Sequence, residues 1–455
     1  MPPSATATGR ETTSLRATRP TGAACGAHHD AGSIGDRLLA FITELYPLCR
    51  SMTGDGVRAT LRHIAEHIPL AIEEVPTGTP ILDWVVPNEW NIRDAWIADS
   101  TGARIVDFRR SNLHVMGYSS AVRATMTLEE LKPHLISLPE QPDWIPFRTS
   151  YFREAWAFCL SHRQLESLED GAYEVCIDAT LKPGALSYGE CYLPGESEAE
   201  VLLSTHVCHP SLCNDNLSGI AVATLFAAHL ASLPERRYSY RILFAPGTIG
   251  SITWLARNEA RLGAIKHGLV LACLGDAGPI TYKKSRRATA DIDEIAAYAL
   301  AASGKPFEIM DFIPYGYDER QFCSPGFDLP VGCLMRTPHG RFPEYHTSAD
   351  NLDFVRADSL ADSFETLVSI VSLIERNRVY ENQSPKGEPQ LSRHGLYGAS
   401  GGVGRTADEL AVLWVLNLAD GQHSLLAIAK RSGYPFDTIW RAAEALRAHG
   451  LLAAA

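Results

Sequence analysis

Ser204-Thr205-His206-Val207-Cys208-His209-Pro210, followed after three residues by Asn214-Asp215-Asn216-Leu217-Ser218-Gly219, is the stretch on which the fold turns. The apolar run Val201-Leu202-Leu203-Ser204 reads as a buried strand. The Ala- and Leu-rich run at 217–233 reads as a helix whose start Asn216 can cap. Two imidazoles and a carboxylate therefore sit between a strand end and a helix start, where α/β sheets usually hold their ligands. Imidazole and carboxylate are natural ligands of Zn²⁺. Asp215 has two oxygens, enough to bridge the ~3.5 to 4 Å between paired hydrolytic ions.

Outward from this point the same grammar repeats. The strand at 269–273 ends in Gly275-Asp276-Ala277-Gly278, where the glycines let a carboxylate turn inward. The strand at 331–335 leads to Pro343-Glu344-Tyr345-His346, which supplies His346 from a loop. With Tyr240-Arg241-Ile242-Leu243-Phe244 as a further strand, strands and helices alternate from about 173 to 377, predicting a sheet covered on both faces. His206, Asp215, Asp276 and His346 are the candidate metal ligands, each at an element end.

Two helices around a turn at 51–56 precede a Trp-, Pro- and Gly-punctuated region that reads as a small β-rich insert. After a Ser-, Gly- and Pro-rich linker, three short helices suggest a winged-helix-like module. The expected division is a disordered tail at 1–32, an α/β domain at 33–71 and 147–381, the insert at 72–146, the linker at 382–404 and the C-terminal module at 405–455.

At 455 residues the chain exceeds the roughly 100 to 200 residues of one ordinary domain. A net charge of −12 argues against a protein given over to gripping phosphate backbones. Ten cysteines without a CxxC pair suit a reduced cytoplasmic setting. Neither a signal-peptide core nor an apolar run of the ~20 residues that span a bilayer is visible. The expected partner is a small-molecule or peptide substrate, with nucleic acid only through the C-terminal module, no membrane, and a homo-oligomer left open.

Several other groups have two readings. Lys283-Lys284-Ser285-Arg286-Arg287 suits a substrate anion or a solvated loop, and Arg286 and Arg287 are candidate substrate contacts. His209, His339 and Tyr345 are candidates of the same kind. Asp350 suits either a carboxylate steadying His346 or a helix cap. Cys208 and Cys213 read as buried thiols or as reactive ones.

Ser204 to Pro210, Asn214 to Gly219, Gly275-Asp276 and Pro343 to Asp350, in this order, resemble the zinc aminopeptidase superfamily of co-catalytic exopeptidases. Asp318-Glu319-Arg320-Gln321-Phe322-Cys323-Ser324-Pro325-Gly326 and Glu344 to Leu352 resemble more closely a bacterial family of aminopeptidase-like proteins with a small inserted β domain and a C-terminal winged helix. The resemblance runs from about Ile34 to the end. It implies a three-layer α/β domain with a mixed sheet, one zinc on His206, Asp215 and Asp276, and another on Asp215, a glutamate and His346, with a glutamate as general base.

The sequence departs at Ala245-Pro246-Gly247-Thr248-Ile249-Gly250-Ser251, where Gly247 stands in place of the family's glutamate. General-base help is worth roughly 10² to 10⁴-fold in rate. Glu344, Glu319, Glu190 and Asp318 are the candidate substitutes. One or two zinc ions and hydrolysis of a small peptide or amide are expected at an altered site. The alternatives are a repurposed protein that binds a peptide-like or aminoacyl ligand or serves a biosynthetic pathway, and a ligand-sensing DNA-binding regulator.

Overall fold

The structure is a computed structural model that describes residues 32–150, 153–396 and 407–455. The tail expected at 1–32 lies outside these residues except for Gly32, and so does part of the linker. An eight-stranded mixed sheet organises the α/β domain. Its order is Leu70–Pro76, Ala185–Leu193, Ser239–Ala245, Glu200–His206, Ile265–Leu271, Val331–Met335, Ile280–Lys283, Phe307–Met310. The Ser239–Ala245, Glu200–His206, Ile265–Leu271 and Val331–Met335 strands are parallel neighbours, and Ala185–Leu193 and Ile280–Lys283 flank them antiparallel.

Because both faces are covered, the central strands are apolar throughout rather than alternating. Val201 and Leu203 pack with Leu38, Ile220 and Leu367, from the helices Ile34–Leu45, Gly219–Ser232 and Ala357–Arg376. Leu202 points the other way, into a core with Trp254 of the Ile249–Asn258 helix and with Trp90 and Val175 of the insert. No helix among the described residues is long and apolar enough to cross a membrane.

The insert is larger than the expected 72–146. Leu70–Pro76 pairs along its whole length with Ala185–Leu193 and so belongs to the large sheet. Ala172–Lys182 pairs with Glu89–Ala98 and Val122–Thr127 and so belongs to the insert's four-stranded sheet. The insert thus occupies about 77–184. The C-terminal module also starts earlier than 405, since Val379–Asn382 is the central strand of its sheet, between Asp420–Ser424 and Leu452–Ala454. Its helices are Ala407–Leu418, Leu425–Ser432 and Phe436–Ala448.

Arg58, on the Asp55–Ala65 helix, ties the insert to the α/β domain. Its guanidinium forks onto Glu89 at 2.5 and 2.9 Å and also reaches Glu74. That pairing holds the Glu89 carboxyl down at about 2. A carboxyl depressed in the folded state adds stability above its unfolded value, 4.5, and loses it as pH falls towards 2. Arg58→Met is expected to raise the acid-unfolding midpoint by roughly half a pH unit to one unit, read by circular dichroism. An unchanged midpoint would show that the fork adds nothing.

Candidate metal centre

The Glu200–His206 strand delivers His206 at its last residue, fully buried. The chain turns through His209 into Cys213–Ser218, and Asp215 enters from there with no exposed surface. Its Oδ1 lies 2.8 Å from His206 Nε2, and its Oδ2 lies 3.0 Å from His346 Nε2 and 3.6 Å from His209 Nδ1. His206 Nε2 and His209 Nδ1 are 3.1 Å apart. Three imidazoles thus converge on one carboxylate. Burial opposes ionisation of Asp215, but the three histidines outweigh it and hold its carboxyl well below the usual range. Burial also pushes His209 well below the ordinary imidazole value, which favours the neutral, ligating form.

The backbone around the cluster is held rather than relaxed. Asp350 accepts the Asn214 and Asp215 amides at 2.5 and 2.9 Å, so it fixes the loop carrying Asp215 and neither steadies His346 nor caps a helix. Burial pushes its carboxyl up to about 8. Asn216 does not cap the helix either; its amide group bonds to Thr205 Oγ1 at 2.8 Å and accepts the Cys273 amide at 3.2 Å. Ser211, Thr248, Cys273 and His346 all take positive φ without being glycine. Such strain persists only where surroundings impose it, and it concentrates at functional sites.

Asp276 departs from its expected role. Its Oδ1 accepts from Thr337 Oγ1 (2.6 Å) and the Gly278 amide (2.7 Å), and its Oδ2 from Asn214 Nδ2 (3.0 Å) and the Thr337 amide (3.1 Å). It is consumed in joining loops. Cys273, three residues earlier, comes towards Asp215 instead, and so does His339. Asp215, Cys273 and His339 present ligand atoms within 4.8 Å of one another, as do His206, His209 and Asp215. His339 Nε2 is buried without a hydrogen-bond partner, as a ligand atom would be. Imidazoles, a carboxylate and a thiol fit a borderline divalent cation such as zinc.

As Tyr317 is placed, a Cβ at Gly247 would clash with its Cε1, Cζ and hydroxyl, so a side chain fits there only if that ring moves. That ring stacks on His206 at 3.8 Å, and its hydroxyl lies 3.4 Å from Cys208 Sγ. No candidate substitute fills the gap. Glu319 is committed to Lys283, Glu190 to Arg241 and Trp254, and Glu344 does not line the cavity. Asp318 accepts the Thr248 amide (2.7 Å) and the Ser251 hydroxyl (3.0 Å), and burial pushes its carboxyl up to about 6.

A cavity of about 650 Å³ opens above the cluster, with His209, Tyr317, Tyr345 and His346 in its wall. Trp84 and Trp90 of the insert line it too, so the insert forms one side. Phe147 braces His209 and His346 edge-on at 5.1 Å, and its amide donates to the His346 carbonyl. Tyr345 stacks on His346 at 3.9 Å. Arg286 and Arg287 are not in the wall; both bind Asp328 at the surface, which corrects their assignment as substrate contacts. Tyr317, Cys273 and Arg50, another wall residue, were not singled out in the sequence.

The C-terminal module rests on the α/β domain through Lys430 and Glu294, Arg376 and Asp437, and the Phe436 amide on the Tyr298 hydroxyl.

Residues 39–377 match the family model of a domain of unknown function, DUF4910, and residues 378–454 match that of a winged helix-turn-helix. A Clostridium acetobutylicum protein, provisionally named for polysaccharide biosynthesis and an aminopeptidase-like domain, is 51% identical over 418 residues, 92% of this chain and 96% of that protein. A crystallised chain from the same organism, provisionally described as a peptidase, has a TM-score of 0.87 at 50% identity and covers 92% of this chain and 96% of its own. BSAP, a zinc aminopeptidase from Bacillus subtilis, shares the fold with a TM-score of 0.56 at 13% identity, over 75% of this chain and 94% of its own. With both of its structural units matched in order, the chain belongs to the DUF4910 family, on an aminopeptidase-like fold extended by a winged helix-turn-helix.

Proposed function

We propose that this protein is a zinc-dependent hydrolase of a small amide or peptide-like substrate, working with an altered co-catalytic site. The observation that carries the reading is Asp215, with one oxygen against His206 and the other against His346, a residue of the cavity wall. His206, His209, Asp215 and His346 would hold the ion, and Cys273 and His339 stand beside Asp215 for a second. Zinc would supply polarisation of the amide carbonyl and a more acidic water.

The residues themselves do the rest. His209 meets the centre through Nδ1 and faces the Tyr317 hydroxyl, 3.5 Å away, through Nε2. Burial keeps the Tyr317 phenol protonated, so it donates hydrogen bonds and does not act as a base. Without a carboxylate at 247, turnover roughly 10² to 10⁴-fold below that of a glutamate-bearing enzyme is expected. The reading takes the cytoplasm as its setting, supported by nine unpaired cysteines among the described residues.

The Tyr317 ring above Gly247 favours one second reading, a descendant that binds a peptide-like ligand or serves a biosynthetic step, in line with the name of the Clostridium relative. Elemental analysis of purified protein and an amide-cleavage panel with and without chelator separate the two. The hydrolase reading expects bound zinc, slow chelator-sensitive cleavage, and loss of both in Asp215→Asn. Metal-free protein without turnover would move the assignment to the second reading.

A further inference from the structure

Among the described residues, buried lysines and arginines have acidic partners, with one exception. Arg241 is paired with Glu190 and Glu200, Lys283 with Glu319, and Arg336 with Asp362. Arg50 is 1% exposed and makes no ion pair among the described residues. Its Nε donates to the His209 carbonyl at 2.8 Å and its Nη1 to the Leu45 carbonyl at 2.7 Å. Its Nη2 is buried with no partner at all. Burial drags the guanidinium down to about 10, and the neighbours that act on it are the thiols of Cys49, Cys213 and Cys208.

A buried guanidinium without a counter-charge is costly, and its planar fork is shaped for a carboxylate or a phosphate. The cavity wall supplies a second, independent indication. Arg50 and Arg320 line it together with His209 and His346, and none of the described residues in the wall is an aspartate or a glutamate. The wall thus offers no carboxylate to a free ammonium group. Arg50 belongs to that wall, and its guanidinium is one hydrogen bond away from the His209 backbone and hence beside the metal cluster.

We propose that the cavity selects an acidic substrate, whose carboxylate or phosphate pairs with Arg50 while its amide faces His206, Asp215 and His346. This deepens the hydrolase reading and rests on it for the amide. The ligand class is an N-acylated acid or an amide that bears a phosphate ester, and the terminal amine of an unblocked peptide is disfavoured.

Calorimetric titration of the full-length protein tests this with three small probes of similar size. They are hippurate, its uncharged amide, and phenyl phosphate. At least one anion should bind roughly tenfold or more tightly than the amide, and Arg50→Lys should remove that preference, since it keeps the charge but loses the fork. Tighter hippurate assigns a carboxylate, and tighter phenyl phosphate assigns a phosphate.

Equal binding of all three, no binding, or an anion preference unchanged in Arg50→Lys would each overturn the proposal. Arg320→Gln, on the same wall, is the companion variant. If it alone abolished the preference, the anion would sit on Arg320 and the assignment to Arg50 would be wrong. Should Arg50→Lys melt well below the parent, the comparison of probes on the parent protein still decides. Anion preference in a protein that holds no zinc and cleaves nothing would sink the hydrolase reading and leave this site standing. Cleavage of amine-bearing substrates without anion preference would do the reverse.

Discussion

Gly247→Glu is expected to destabilise the protein by roughly 3 kcal/mol instead of speeding its turnover. From sequence it is the obvious repair, because it supplies the carboxylate that the resemblance to zinc aminopeptidases implies there. In the structure the space is taken. A Cβ on residue 247 meets the Tyr317 ring, which is wedged against His206 and cannot retreat without leaving that stack. Behind it, Cys208 Sγ accepts the Gly247 amide at 3.2 Å, so the backbone is held as well. Overpacking of this kind costs about 1 to 3 kcal/mol, and burying a carboxylate beside an aromatic ring adds to it. Pairing it with Tyr317→Gly should restore most of the loss, and the coupling between the two substitutions is the readout. Chemical denaturation of the four proteins in that cycle gives it directly. A single Gly247→Glu as stable as the parent would mean that Tyr317 swings aside freely. Cleavage by the double variant well above that of the parent and of both single ones would show that the tyrosine occupies the space of a general base without doing its chemistry.

His206 and Asp215 were legible because a buried strand and a following helix each announce themselves in apolar spacing, and the residues between them must lie at the sheet's ligand-binding edge. His346 was legible on the same ground. The choice between Cys273 and Asp276 was not. Which residue of this turn faces Asp215 depends on the positive φ of Cys273, and neither cysteine nor its neighbours signal that conformation. Flanking glycines made Asp276 the better-looking ligand, yet its oxygens are spent on Thr337, Gly278 and Asn214. Tyr317 was hidden by distance, since nothing in its own loop refers to a glycine 70 positions earlier. The insert's boundaries failed for a related reason. Ala172–Lys182 has the composition of a strand in either sheet, and only its register with Glu89–Ala98 assigns it to the insert.

Lys283→Met carries the other large expected effect, a loss of roughly 3 to 5 kcal/mol, because it strands Glu319 as an uncompensated buried charge. Lys283 is 1% exposed and Glu319 is fully buried, and they form an ion pair. The lysine also donates to the Tyr315 carbonyl at 2.8 Å, while the carboxylate accepts the Tyr317 amide at 3.2 Å. Gly316, between those tyrosines, adopts φ +146°, and a Cβ there would strike both partners of the pair. The loop that lays Tyr317 over Gly247 is therefore pinned by one buried lysine and one buried carboxylate. Replacing both partners, as Lys283→Met with Glu319→Leu, should recover most of the stability, because no lone charge is left behind. Denaturant unfolding checks both expectations, and equal losses in the single and double variants would refute the pairing argument. Amide hydrogen exchange separates the local consequence from the global one. Protection over 313–319 should fall further than in the central strands. If that loop is what denies residue 247 its side chain, Gly247→Glu should cost less in the Lys283→Met background than alone, and an undiminished cost would locate the obstruction in Tyr317's stack on His206 and not in its loop.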